Sequence, residues 1–167
     1  KDSLVAAAGS AEAAIALVRF VAGTHDVGKC SDAFQRSRPP WSTSRLAQHG
    51  LALSSIQQKI PHGTLGQIAL KAWLLIEYGE GPGAGHLGEV IGGHHGLNPS
   101  PGDLGRVVVE NLPLERSVWG DLRGEILAEM ADRSGARPYL PDWVANGFPL
   151  SIRVLLQAVV ILADWIA

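Results

Sequence analysis

Ala22-Gly23-Thr24-His25-Asp26-Val27-Gly28-Lys29 closes the first apolar segment of a 167-residue chain, and the rest of the sequence is best read outward from it. An imidazole and a carboxylate stand side by side, bracketed by Gly23 and Gly28. Upstream, Leu4 to Ala22 is rich in alanine and poor in breakers apart from Gly9, so its period predicts one long helix delivering His25-Asp26 to a turn. Downstream, Arg36 to Ser44 holds Pro39 and Pro40 and reads as loop. Leu65, Ile68, Ala69, Ala72, Leu75 and Ile76 form a helical stripe that stops near Gly79, and glycine-rich Gly79–Gly88 reads as a connector. Asn98-Pro99-Ser100-Pro101-Gly102 is another loop. A helix follows from Val118 to Ser134, with Leu122, Ile126, Leu127 and Met130 inward and Gly135 as its stop. Pro138 to Pro149 reads as irregular. The last helix, with Ile152, Leu155, Leu156, Val159, Val160, Ala163 and Ile166, is apolar nearly all round and is expected in the middle of the bundle. Alternating strand patterns are nearly absent, so the fold class is all-α.

The length fits one domain, residues 1–167, large enough to fold without staples. A single cysteine, Cys30, excludes an internal disulfide framework and fits a reducing cytoplasm. Lys1 and Asp2 lead straight into helical pattern without a signal-peptide signature. Pro149 to Ala167 is interrupted by Arg153 and Asp164, too soon for the roughly 20 apolar residues of a membrane span, so no membrane partner is expected. The formal net charge of −2 does not mark a nucleic-acid binder, but the charges are segregated. Lys29, Arg36, Arg38, Arg45 and Lys59 face Asp32 alone, whereas from Glu77 to Asp132 ten acids oppose only Arg106, Arg116 and Arg123. One face can attract a polyanion while another repels it.

Chemistry rests on the six histidines, with Asp26 and Asp164. Imidazole and carboxylate suit first-row divalent metals. Adjacent His25 and Asp26 diverge on a helix, so the carboxylate can link two ions while the imidazole holds one; taken alone, the pair reads rather as a surface turn with a helix-capping aspartate. His94-His95 lies among Gly92, Gly93 and Gly96, which lets backbone approach a metal closely. Asp164 sits within Val159-Val160-Ile161-Leu162-Ala163-Asp164-Trp165-Ile166, where an unpaired carboxylate is costly to bury. Coordinating a cation, pairing with a buried arginine or capping a neighbouring helix would each compensate.

The order His-Asp, His, His-His, Asp resembles the HD phosphohydrolase superfamily. More narrowly, it is similar to the HD nuclease domain of the CRISPR-associated helicase-nuclease of type I systems. The match is carried by Ala22 to Lys29 with Phe34-Gln35, by Gly93-His94-His95-Gly96, and by Ala163-Asp164-Trp165-Ile166-Ala167. The resemblance implies an HD-type helical bundle with a metal centre between its helices. It makes His25, Asp26, His94, His95 and Asp164 metal ligands, and His62 in Pro61-His62-Gly63 the middle histidine, with His49 as its rival. His86 has no counterpart. The family's additional histidine would fall just before Lys1, since Asp2-Ser3 matches the aspartate-serine that follows it, and the chain reads as a domain excised from a longer helicase-nuclease.

The resemblance also implies cleavage of single-stranded DNA. A helicase, in cis or in trans, would feed the strand, beside a CRISPR surveillance ribonucleoprotein complex. Two divalent ions would activate a water for attack on the phosphodiester, with Asp26 and Lys29 as catalytic residues. Nitrogen-rich ligation favours manganese, cobalt, nickel or iron over magnesium. Arg36, Arg38 and Arg45, with Phe34 and Trp41, are candidates to guide the strand; the plainer reading packs Phe34 in the core and Trp41 over a loop. An HD hydrolase of nucleotides or cyclic nucleotides, and a degenerate docking module, are the alternatives.

Overall fold

The computed structural model describes residues 2–51, 53, 60–107 and 118–166. Of the charges and termini discussed above, Lys1, Lys59, Glu110, Glu115, Arg116 and Ala167 lie outside that set. Among the described residues the regular structure is helical throughout, as expected.

The predicted first helix is two. α1 spans Asp2–Ala8 and α2 spans Ala11–Thr24, meeting at 87°. Gly9 takes φ +103°, a left-handed turn that favours glycine, and the Ser10 hydroxyl accepts the Ala13 N–H at 3.0 Å, starting a new helix. The alanine-rich period runs on across this break, which is why the pattern alone joins the two. After α2, Val27–Lys29 forms a 3₁₀ turn, and Ser31 caps the short α3, Asp32–Gln35.

Four stretches read as loop, connector or irregular are helical in part. Pro40 begins α4, Pro40–Gln48, because proline is preorganised for a first helical turn. α5 runs His62–Tyr78 and ends at Gly79, φ +84°, near the expected stop. The connector Gly79–Gly88 then overlaps α6, Pro82–Gly92, again opened by proline. Its glycines serve close packing: a Cβ on Gly88 would lie 2.9 Å from the Gln67 carbonyl oxygen of α5, and one on Gly63 would lie 2.9 Å from that of Gly92. Residues 101–107 are helical, and α7 spans Val118–Ser134 as predicted. Its inward face is Trp119, Arg123, Leu127 and Ala131, with Leu122, Ile126 and Met130 half-buried beside it. Within the stretch read as irregular, α8 covers Leu140–Asn146.

α9, Leu150–Ile166, corrects the expectation of a central helix. It buries Ile152, Leu156 and Val160 against the bundle but leaves Leu150, Val154, Leu162, Trp165 and Ile166 exposed, the last at 84%. The centre belongs to α2, whose Leu17, Phe20 and Val21 are fully buried among Leu70 and Leu74 of α5, Leu87 and Ile91 of α6 and Leu156 of α9. No single helix among the described residues is long and apolar enough to cross a membrane.

Candidate metal centre

The end of α2, the start of α5, the end of α6 and the last turns of α9 converge. His25 follows α2 directly, and its Nδ1 lies 2.6 Å from the Ala22 carbonyl oxygen. A carbonyl only accepts, so Nδ1 carries the proton, and in the neutral ring Nε2 presents a bare lone pair. Nδ1 of His94, just past α6, is tied to the Ile91 carbonyl at 2.5 Å with the same result. Fixing one ring nitrogen to a carbonyl is how a metal-binding imidazole is oriented and made more basic.

These lone pairs face other acceptors. Asp26 Oδ2 is 3.3 Å from His25 Nε2, and Asp164 Oδ1 is 3.4 Å from the same nitrogen. Asp26 Oδ1 is 3.4 Å from His62 Nε2 and 3.7 Å from His94 Nε2. His62 Nε2 lies 3.2 Å from His94 Nε2 and 2.9 Å from His95 Nε2. The donors sort into His62, His94 and His95 on one side and His25, Asp26 and Asp164 on the other, with atoms inside each group within 4.8 Å. Asp26 turns one oxygen to each group.

Such a set fits a divalent cation. The buried atoms His25 Nε2 and Asp26 Oδ1 have no hydrogen-bond partner among the described residues. Protons do not resolve the conflict near neutrality. Burial, with His94, His95 and Lys29 nearby, depresses His62 to about 4 against the pull of Asp26, and burial lowers His94 too. Burial opposes ionisation of Asp26, but the Lys29 hydrogen bond and the Lys29 charge hold its carboxyl below the usual range. Neutral imidazoles and an ionised carboxylate facing one another are the protonation states a metal requires.

The turn beneath the centre is pinned from several directions. Ser31 donates to the Gly28 carbonyl at 2.9 Å, Gln35 to that of Lys29 at 2.9 Å, and Arg123 of α7 to that of Cys30 at 2.9 Å. Sequence reading gave Arg123 no role; the available signal was a charge on the apolar face shared with Trp119 and Leu127. Lys29 Nζ donates to Asp26 Oδ2 at 2.5 Å. The Phe34 ring stands edge-on to His62, centroids 5.4 Å apart, and carries the Arg38 guanidinium 4.4 Å from its own centroid. Arg36 instead pairs with buried Asp32 at 2.6 Å, while Arg45 is exposed on α4; Trp41 lies in α4, its side chain outside the described set. A groove of about 530 Å³ opens beside His62 and His95, walled by Thr64, Leu97, Asn98 and Arg106.

Two histidines lie apart from the centre. His49 is exposed at the end of α4. His86, within α6, accepts the Phe148 N–H on Nδ1 at 3.0 Å and so ties α6 to the start of α9. Burial and Arg153 lower its pKa from 6.5, Glu89 opposing. Protonating Nδ1 would break that bond. The stability it lends is therefore complete above pH 6.5 and is lost as pH falls below that value. His86→Ala should cost about 1 kcal/mol at neutral pH and flatten the acid side of the stability profile. Urea melts of both proteins between about pH 5 and 7.5 test this, His62 and His94 being common to both; parallel curves would refute it.

The same architecture recurs in known proteins. The family model described as Cas3, HD domain, matches residues 1–167. The CRISPR-associated endonuclease/helicase Cas3 of Thermus thermophilus is 29% identical over 159 residues, covering 93% of this chain and 17% of that protein. A crystal structure described as a CRISPR-associated protein superposes with a TM-score of 0.77 at 28% identity, over 99% of this chain and 18% of that one. The crystal structure of T. fusca Cas3 gives 0.71 at 26% identity, over 98% and 17%. The chain thus spans 17–18% of the length of these relatives. With its whole length matched by that family and its helices superposing on these structures, the chain belongs to the Cas3 HD domain family.

Proposed function

We propose that residues 1–167 form a metal-dependent nuclease domain that hydrolyses phosphodiester bonds in single-stranded DNA. The observation that carries this reading is Asp26, with one oxygen toward His62 and His94 and the other toward His25. In this reading His62, His94 and His95 on one side and His25 and Asp164 on the other would hold divalent ions, with Asp26 offering an oxygen to each side. When bound, the ions supply an activated water at neutral pH and neutralise charge on the phosphate.

The chain's own residues do the rest. The Ala22 and Ile91 carbonyls each hold an Nδ1–H, of His25 and His94, and so aim the two Nε2 atoms inward. Lys29 keeps Asp26 ionised and leaves a cation at the edge of the centre, where a phosphate would lie. Arg38 on the Phe34 ring offers a cation to a strand, Arg45 is exposed on α4, and the groove beside His95 offers the strand a way past the centre. Arg36 serves this less, being engaged by Asp32. Arg38→Ala should weaken strand binding a few-fold and reduce the salt slope by about 1, read by fluorescence anisotropy across a salt series. An unchanged slope would remove Arg38 from the path.

Because the T. thermophilus relative is named an endonuclease/helicase, we assign strand delivery to a helicase segment in the same or a separate polypeptide. Recruitment would be to a CRISPR surveillance ribonucleoprotein, in the cytoplasm. Cleavage of circular single-stranded DNA with added manganese, cobalt or nickel tests the proposal, since a circle offers no end to nibble. Metal-dependent linearisation is the expected result. No cutting under any metal would sink it; hydrolysis of nucleotides would then favour the closed-pocket hydrolase, and no hydrolysis at all the docking module.

A further inference from the structure

Asp164 is not the only polar side chain that α9 turns inward. Arg153, Gln157 and Asp164 stand at i, i+4 and i+11 of that helix and so share one face. Each meets a polar partner. Arg153 donates to Glu89 of α6 at 2.5 Å, Gln157 Nε2 donates to the Gly93 carbonyl oxygen at 2.9 Å, and Asp164 Oδ1 lies 3.4 Å from His25 Nε2. The middle contact falls on the turn that carries two imidazoles. The Gly93 carbonyl also accepts the Gly96 N–H at 2.8 Å, which closes a turn with His94 and His95 as its central residues. Gly93 leaves the room for this: a Cβ there would lie 2.3 Å from Gln157 Nε2 and 1.9 Å from Asn98 Oδ1. His94 has a second anchor in the Ile91 carbonyl, whereas the exposed His95 is placed by the turn itself.

We propose that Gln157 is a positioning residue of the centre, its amide setting the His94-His95 turn at a fixed distance from Asp164. The proposal rests on the reading of His94, His95 and Asp164 as metal ligands. α6 and α9 pack through apolar side chains, and that attraction is non-directional, so it holds the helices together without fixing how far one has slid along the other. A hydrogen bond from one amide to one carbonyl does fix it. Asp164 stands two turns beyond Gln157, about 10 Å along the axis. Pinning Gln157 to Gly93 therefore decides where the Asp164 carboxylate stands relative to the imidazoles. Gln157 touches no donor atom and acts through the Gly93 backbone alone.

Gln157→Met keeps the length of the side chain and removes the donor. Arg153→Met removes the neighbouring link, one turn away, which touches no ligand-bearing turn, and so controls for a loosened α9. Both are made in the full-length protein, stripped of metal, and compared at a temperature where melts show each to be folded. Cobalt is then titrated in, its visible spectrum reporting both affinity and the geometry of its donors. Gln157→Met should bind cobalt at least roughly tenfold more weakly and with an altered spectrum. Arg153→Met should keep the wild-type affinity and spectrum even where its Tm falls. Should Gln157→Met not fold, Gln157→Glu, the same shape without an N–H, carries the same expectation. Wild-type affinity and spectrum in the Gln157 variant, or an equal change in Arg153→Met, would overturn the positioning role and leave the metal centre standing. A wild type that takes up no cobalt would overturn the nuclease reading beneath it.

Discussion

Asp26→Ala is expected to abolish cutting, a loss of more than roughly 10³-fold, because several kcal/mol of transition-state stabilisation go with the ions. No other described side chain turns a separate oxygen toward each donor group. The same variant should separate metal binding from folding. In the metal-free protein Asp26 is an acceptor set among lone pairs, so removing it costs the fold little beyond a half-exposed contact with Lys29. Added metal tells the two proteins apart. At a hundredfold excess over its dissociation constant, an ion stabilises the wild type by about 2.7 kcal/mol, and the variant should lose most of that gain. Thermal melts with and without nickel read the difference. An equal nickel shift in both proteins would place the ion elsewhere.

Gly28→Ala is expected to be among the most damaging single methyls at any described residue. A Cβ there would lie 1.9 Å from the His62 carbonyl oxygen and 2.8 Å from the Gly66 amide nitrogen. Both are backbone atoms of α5, so no side chain can swing aside. Either α5 retreats or the turn below Asp26 opens, at a cost of about 3 kcal/mol. For a domain of this size that is a fall in Tm of roughly 6–12 °C. The retreat also carries His62 away from Asp26, so metal affinity should fall with stability. A variant with wild-type Tm and wild-type metal uptake would show that the contact yields more easily than its geometry says.

The part of the site that was legible in the sequence is the part fixed by chemical type. His25, Asp26, His94, His95 and Asp164 stand out against an apolar background, whereas the family resemblance alone separates His62 from His49, and the six meet. The supports were not legible. Arg123 reaches the Cys30 carbonyl from 93 residues away, and nothing local to either residue announces it. Phe34 was read either as core or as a stacking surface; its ring does some of both, touching His62 on one side and Arg38 on the other. In the fold, periodic helices were found where apolar spacing was regular, as in α5 and α7. Errors arose where glycine or proline was read as punctuation. Pro40 and Pro82 open helices, and Gly83 and Gly88 lie inside one because a neighbouring backbone occupies the space a side chain would need. The reverse error came at Gly9, the one breaker noted but passed over, where the chain does turn. α9 was misplaced because composition reports how apolar a helix is and not which side of it is covered.

The line where α5 meets α6 has a consequence for how this sequence can drift. Elsewhere in the core a substitution that adds bulk can be answered by one that trims a neighbour. Along this line the obstacles facing Gly63 and Gly88 include backbone carbonyls, and the residues themselves are already the smallest there are. There is nothing left to trim. Descendants of this chain can exchange their leucines and valines freely, yet each of these glycines can be changed only by moving two helices and, with them, the spacing of the imidazoles they carry.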